Sequence, residues 1–136
     1  MYSTNYYNTL IQVPSTCTLT SGTFPTQNEI AQLQFDLLYH NPYEFVSDDL
    51  LYLVYAKLND IFEEDFEHKK KSFLSQPIDC LLQSPLVHNY GWGIHHNKHG
   101  LMSLIGKETT EYHKLSNDSS IIKLQPIQIT SFFEKI

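Results

Sequence analysis

Four histidines lie close together in the sequence and are its first candidates for chemistry. His88, His95, His96 and His99 fall within twelve residues. Imidazole binds metal ions and transfers protons, and zinc sites take ligands a few residues apart. His96 and His99 could meet across a turn with His88 or Asp79 as a third ligand, but the paired spacing of known metal motifs is missing. We therefore expect no metal and no cofactor, which leaves scattered surface histidines or one histidine in a catalytic or ligand pocket, with His95 as the candidate.

Cys80 is the second candidate for catalysis. A thiol nucleophile needs a neighbouring base or a positive field to lower its pKa. His88 or His95 could supply the base if the two segments fold together, whereas the adjacent Asp79 would raise the pKa of the thiol. Free cysteines are among the most buried residues, so a structural Cys80 is the interpretation that we favour.

Trp92 is the only tryptophan and stands between two glycines. An exposed tryptophan on a strand can stack on a flat ligand. Tyr90 and His95 are its neighbours in the sequence, so these three residues are the candidate ligand-binding set. The alternative is a core tryptophan whose flanking glycines let the ring lie across the backbone.

The histidines require a hairpin to position them. Residues 92–95 and 101–105 are apolar runs separated by a glycine-containing loop at residues 97–100, a pattern typical of a β-hairpin. Side chains alternate along a strand, so His95 and His96 are expected on opposite faces and only one can line a given site. We expect this hairpin to form the centre of a small sheet.

Two further segments are predicted to be extended. Residues 6–13 are rich in residues with high strand propensity and end at Pro14, which cannot donate to a ladder. Residues 79–87 are short, apolar and bounded by proline, as in a short strand or an extended edge that leads into the hairpin.

Four helices are predicted from apolar residues at three- and four-residue spacing. The first begins at a capping box formed by Thr26 and Glu29 and ends near His40, because Asn41 precedes a proline. Ser47 is expected to cap the second helix. The predicted helices cover about residues 30–40, 48–58, 63–75 and 107–115, with a last short turn at residues 121–124.

This order of elements predicts an α+β fold. The expected architecture is an antiparallel sheet of three or four strands centred on the hairpin, with helices packed on one face. A length of 136 residues suits a single domain over residues 1–136. The tail from residue 127 onward is apolar, and we expect it to dock on the body of the domain.

Charge and composition exclude several classes of partner. The formal net charge is −6 and all nine basic residues are lysines. Nucleic-acid sites depend on the arginine fork, so we expect no nucleic-acid partner. No apolar run approaches membrane-spanning length and the first residues are polar, which favours a cytoplasmic protein without a membrane partner. Cys17 and Cys80 should then both be free thiols.

Four motifs stand out together in this order: Asn5-Tyr-Tyr-Asn-Thr, Asn41-Pro-Tyr, Ser47-Asp-Asp and Tyr90-Gly-Trp-Gly-Ile-His. They resemble a family of small bacterial proteins known as a domain of unknown function, and the resemblance covers nearly the whole chain. It implies a bacterial cytosolic domain and supplies no reaction, ligand or catalytic residue. Members of that family tend to have a basic residue just after the cysteine and a basic C-terminus. Leu81 follows the cysteine here and the end is apolar, which puts a shared anion-binding function in doubt.

Two functions from different classes remain. We favour a non-catalytic binding or interaction domain, because nine Tyr and eight Phe residues supply the side chains that interface cores use. Its partner would be a small molecule or a protein, and homo-oligomerisation through the aromatic surface or the C-terminal tail is a further option. The alternative is a small hydrolase or transferase that uses Cys80 or a hairpin histidine, His95 or His96.

Overall fold

The computed structural model describes residues 3–75 and 81–126. Within these ranges it contains strands β1 (Thr9–Ile11), β2 (Trp92–His96), β3 (Met102–Gly106) and β4 (Ile122–Leu124). The helices there are α1 (Glu29–His40), α2 (Ser47–Leu58), α3 (Phe66–Leu74), α4 (Pro85–Asn89) and α5 (Thr110–Asn117), with short 3-10 turns at Glu63–Asp65 and Leu81–Gln83. The predicted α+β class is confirmed. None of these described helices has the length and apolar character needed to cross a membrane.

The four strands form one sheet in the order β3-β2-β1-β4. The predicted hairpin is confirmed, since β2 and β3 pair antiparallel from Trp92 opposite Gly106 to His96 opposite Met102. β1 pairs antiparallel with β2, but β4 runs parallel to β1. The expectation of a purely antiparallel sheet is therefore wrong. The cause is that the segment predicted as a turn, residues 121–124, contains the edge strand β4.

Helices cover both faces of the sheet, not one as predicted. On one face, α1 and α4 pack over Ile11, Ile94 and Met102. On the opposite face, α5 places Tyr112 against Leu10 and Ile105. Leu10 and Ile11 are both fully buried. Because neighbouring residues of a strand point to opposite sides, two buried neighbours require a cover on each side.

Two predicted helix caps are wrong. α1 begins at Glu29, and Asn28 caps it by accepting a hydrogen bond from the Ala31 amide at 2.9 Å, so Thr26 forms no capping box. Ser47 is the first residue of α2 and not its cap. Its hydroxyl lies 2.7 Å from the Thr4 hydroxyl, because the N-terminal segment packs across the start of α2.

Asp48 joins that N-terminal segment to α2. Its carboxylate accepts hydrogen bonds from the Thr4 amide at 2.7 Å and the Thr4 hydroxyl at 2.8 Å. The Asn5 side chain in turn accepts from the Asp48 amide at 2.9 Å. The side chain of Asp48 is almost fully buried by these contacts. Two of the motifs singled out in the sequence, which begin at Asn5 and Ser47, thus hold each other in place.

The segment before the hairpin is helical where it is described. An extended conformation was expected, but α4 begins with Ser84 as its N-cap and Pro85 as its first residue. The Ser84 hydroxyl also donates to the buried Gln34 side chain at 2.6 Å. Serine followed by proline is a common helix start, whereas a short apolar run does not by itself distinguish strand from helix. Cys80 and the tail from residue 127 lie outside the described residues.

Candidate functional site

The predicted site residues of β2 lie on different faces of the sheet. Trp92 and His96 share a face with the core residue Ile94, under α1 and α4. His95 points to the opposite face, beside α5. The structure therefore does not bring Trp92 and His95 together, and no shared pocket of Trp92, Tyr90 and His95 forms in the described part of the chain.

Trp92 is fixed by the loop that precedes α1. Its indole N–H donates to the Thr23 carbonyl oxygen at 2.8 Å. The Thr23 amide donates to the Tyr90 carbonyl oxygen, also at 2.8 Å. The ring lies directly on Gly22, where a Cβ atom would come within 2.8 Å of two ring carbons. A glycine is needed at this position because the indole occupies the space of a side chain.

Trp92 belongs to a cluster of four aromatic rings, which we call the aromatic platform: Phe24, Phe35, Tyr39 and Trp92. Phe35 is the buried centre, with ring-centre distances of 4.9 Å to Tyr39, 5.1 Å to Phe24 and 5.6 Å to Trp92. Tyr39 and Trp92 also meet edge to face at 6.0 Å. Phe24 is 51% exposed and Tyr39 is 54% exposed. The platform thus presents two half-exposed rings on a packed aromatic base.

His95 forms a polar pair on the other face. Its Nδ1 lies 2.9 Å from the hydroxyl of Tyr43, and the two rings meet edge to face at 5.7 Å. Burial lowers the pKa of His95, and the negative charge of Glu111 opposes that shift. Burial raises the pKa of Tyr43, and Glu111 acts in the same direction. Both shifts favour the uncharged forms, so near neutral pH the pair is an uncharged imidazole hydrogen-bonded to an uncharged phenol.

The backbone of Tyr43 has an unusual conformation. Its φ is +58°, in the left-handed region, where the other described non-glycine residues are Asn8 and Asp60. Asn and Asp adopt that region routinely, but a tyrosine there costs about 1–2 kcal/mol. The Tyr43 amide donates to the Met102 carbonyl oxygen at 2.7 Å, which holds the loop against the edge of β3. Strain of this kind is often found at functional positions.

His96 is fully buried beneath the helices. Neither of its ring nitrogens has a hydrogen-bond partner among the described residues. The Tyr6 ring meets it edge to face at 5.5 Å. Burial lowers the pKa of His96 to about 4, and the neighbouring backbone of Ile94 and Thr9 offsets only part of this effect. His96 is therefore a neutral core residue and is closed off from a surface ligand.

The remaining candidates are spread apart. His88 lies 3.1 Å from the Leu82 carbonyl oxygen, and His99 is exposed in the hairpin turn. Within the described ranges, no three His, Cys, Asp or Glu side chains converge in a way that could hold a metal ion. Cys17 is a buried free thiol, and Cys80 is outside those ranges.

Several residues of the aromatic platform and of the pair formed by His95 and Tyr43 were not predicted from the sequence. Phe35 and Tyr39 are four residues apart on α1, a spacing that places rings side by side and could have indicated a pair. Phe24 had no such signal, because it belongs to a loop. Tyr43 also had no such signal, because its contact with His95 joins positions 52 residues apart.

A family model described as a family of unknown function (DUF6157) matches residues 1–131. No curated protein matches the chain. No solved structure matches it.

Proposed function

The chain belongs to the DUF6157 family of unknown function, and from its own surface chemistry we propose that it is a binding domain that catalyses no reaction itself. The contact surface would be the aromatic platform. The partner would be a protein segment that places an apolar side chain between Phe24 and Tyr39. The observation that carries this proposal is the pair of half-exposed rings packed on the buried Phe35, with Tyr39 stacked on it and Phe24 meeting it edge to face.

The platform has the properties of an interface centre. Aromatic residues are enriched at the centres of protein interfaces and among the residues that contribute most binding energy. Phe24 and Tyr39 are already held by Phe35, so less side-chain freedom is lost when a partner binds. An open surface with rings at its centre suits a protein segment better than a small molecule, which needs a concave site.

Peptide selection with the intact protein tests this function. Peptides selected from a random library for binding should lose about tenfold or more of their affinity for Tyr39→Ala, as for an interface anchor. Binding should also change the fluorescence of Trp92, the only tryptophan in the chain. Tyr7→Ala is the matched control, because Tyr7 is 52% exposed and lies beside Gly100, at the other end of the hairpin.

Two results would contradict the proposal. One is a set of selected peptides that bind Tyr39→Ala as tightly as the unchanged protein. The other is equal loss of affinity in Tyr39→Ala and Tyr7→Ala, since that would indicate a general effect of removing an exposed ring. Thermal unfolding of both variants checks that each remains folded.

The hydrogen bond between Tyr43 and His95 favours a second candidate, a small hydrolase or transferase with His95 as general base. The strained φ of Tyr43 supports it. If this function holds, a panel of p-nitrophenyl esters and phosphates should include one that is turned over. His95→Gln should then reduce its rate by about a hundredfold or more, and Tyr43→Phe should shift its pH profile. Equal rates for His95→Gln and the unchanged protein would refute a catalytic His95.

A further inference from the structure

A carboxylate lies beside the aromatic platform, next to Trp92. Gly106 is the residue directly opposite Trp92 in the pairing of β2 and β3, so the two positions share a face of the sheet. Gly106 has no side chain, and the Glu108 carboxylate occupies the space that one would fill. A Cβ atom on Gly106 would lie 2.8 Å from Glu108 Oε2. The carboxylate of Glu108 therefore takes the place of a cross-strand neighbour of Trp92.

The loop before α1 fixes this carboxylate. Glu108 Oε1 accepts a hydrogen bond from the Gly22 amide at 2.9 Å. Gly22 is also the residue on which the indole of Trp92 lies, so one residue holds both the carboxylate and the ring. Among the described residues, no lysine lies within ion-pair distance of Glu108. A carboxylate accepts several hydrogen bonds, and this one keeps the capacity to bind a cation from a partner.

The helix that carries two of the platform rings is also acidic. α1 provides Phe35 and Tyr39 and contains two carboxylates, Glu29 and Asp36, but no lysine. Its one basic side chain is His40, the last residue. Asp36 comes three residues before Tyr39, a spacing that makes side chains neighbours on a helix surface, and both are exposed. A second carboxylate therefore lies beside the platform, next to Tyr39.

The other segments around the platform do not offset these charges. The loop at residues 19–28 contains no charged residue. Lys107 precedes Glu108 in the turn after β3, and its amine donates to the carbonyl oxygen of Leu19 at 3.2 Å. Leu19 packs with the cluster on the face of the sheet that α5 covers. A partner at the platform thus meets carboxylates beside Tyr39 and beside Trp92, which favours a positive charge on the partner.

We propose that the protein segment bound by the aromatic platform carries an arginine whose guanidinium pairs with Glu108 beside Trp92. This inference rests on the binding function proposed above and specifies the chemistry of its partner. A guanidinium is planar, forms two parallel hydrogen bonds with one carboxylate and lies favourably against aromatic rings. The apolar stem of the arginine lies along the rings while its charged end reaches the carboxylate. Lysine offers a single point charge without a flat face, so arginine fits the combination of ring and carboxylate better.

The peptides selected from the random library against the intact protein are the probe. They should contain an arginine within about three residues of their apolar anchor, since an extended chain advances about 3.3 Å per residue. Glu108→Gln should weaken their binding by about fivefold at low ionic strength and by less in added salt, because salt screens an exposed pair. Glutamine keeps an oxygen for the Gly22 amide, so the variant removes the charge and retains the hydrogen bond that holds the loop.

Glu111→Gln is the matched control. It makes the same change of charge at an exposed residue of α5, whose negative charge acts on His95 and Tyr43 at the opposite face of the sheet. It should leave the affinity for the selected peptides unchanged. A double-mutant cycle then identifies the pair. Replacing the peptide arginine by glutamine should weaken binding to the unchanged protein and have little effect on binding to Glu108→Gln, where the pair is already broken.

The possible failures are distinguishable. Peptides that depend on Tyr39 but bind Glu108→Gln as tightly as the unchanged protein would overturn the arginine and leave the binding function standing. Peptides enriched in lysine instead of arginine would overturn the choice of a guanidinium. Equal losses in Glu108→Gln and Glu111→Gln would show a general effect of net charge and would also overturn the pair. If no peptide is selected, or if Tyr39→Ala binds every selected peptide normally, both the inference and the binding function fail.

Discussion

Replacing Gly91 by alanine is expected to lower the free energy of unfolding by about 3 kcal/mol, through left-handed strain and backbone overlap together. Gly91 has a φ of +79°, which disfavours any residue with a Cβ atom. The new Cβ atom would also overlap the carbonyl oxygen of Ser21 and lie 2.9 Å from its carbonyl carbon. Both atoms are backbone, so they cannot move aside by a change of rotamer. Urea unfolding of the variant measures the loss.

Gly100→Ala separates these two causes. Gly100 has a nearly identical φ of +81°, but its Cβ atom would lie 3.0 Å from the ring of Tyr7 and 3.3 Å from the Tyr6 carbonyl oxygen. The Tyr7 ring is half exposed and can turn away. Only the conformational cost should remain, about 1 kcal/mol. Similar losses in Gly91→Ala and Gly100→Ala would contradict the close contact of Ser21 with the start of β2, and with it the loop that holds Trp92.

Acid should destabilise the protein through His96. An ordinary histidine has a pKa near 6.5, and burial lowers the pKa of His96 to about 4 in the fold. The unfolded chain therefore takes up the proton first as the pH falls. Stability from this residue is complete above pH 6.5 and falls as the pH approaches 4. A difference of this size corresponds to a loss of about 3 kcal/mol, since each unit of pKa is worth about 1.4 kcal/mol.

His96→Phe tests the source of this acid sensitivity. Phenylalanine keeps a ring against Tyr6 and removes two buried nitrogens that have no partner among the described residues. Urea unfolding from about pH 7.5 to about pH 4.5 should show a flatter dependence in this variant, because the linked proton is gone. His99→Asn is the control, because it removes a histidine that is exposed in the hairpin turn. An unchanged slope in His96→Phe would place the proton uptake elsewhere.

The three hairpin histidines do not share one environment. Burial lowers the pKa of both His95 and His96, whereas His99 is exposed on the turn. His95 and His96 lie on opposite faces because side chains alternate along a strand. The packing on each face then decides how far each side chain is shielded from solvent.

The sequence by itself determined the local elements. The hairpin, the positions of α1 and α2 and the α+β class follow from turn residues, proline positions and apolar spacing, which act between near neighbours. It also placed His95 and His96 on opposite faces, because alternation in a strand needs no tertiary contact. The boundaries were less well determined, as Asn28 and Ser47 show, since several polar residues near a helix start compete for the role of cap.

Only the tertiary structure decided which distant residues meet. Tyr43 reaches His95, Tyr39 reaches Trp92 and Thr4 reaches Asp48, although each pair is far apart in the chain. The parallel pairing of β4 with β1 and the helical form of Pro85–Asn89 were settled in the same way. Short apolar segments are compatible with strand, turn or helix. The packed core selects the conformation that buries their side chains and pairs their backbone groups. That choice depends on distant residues, so the local periodicity of the sequence does not indicate it.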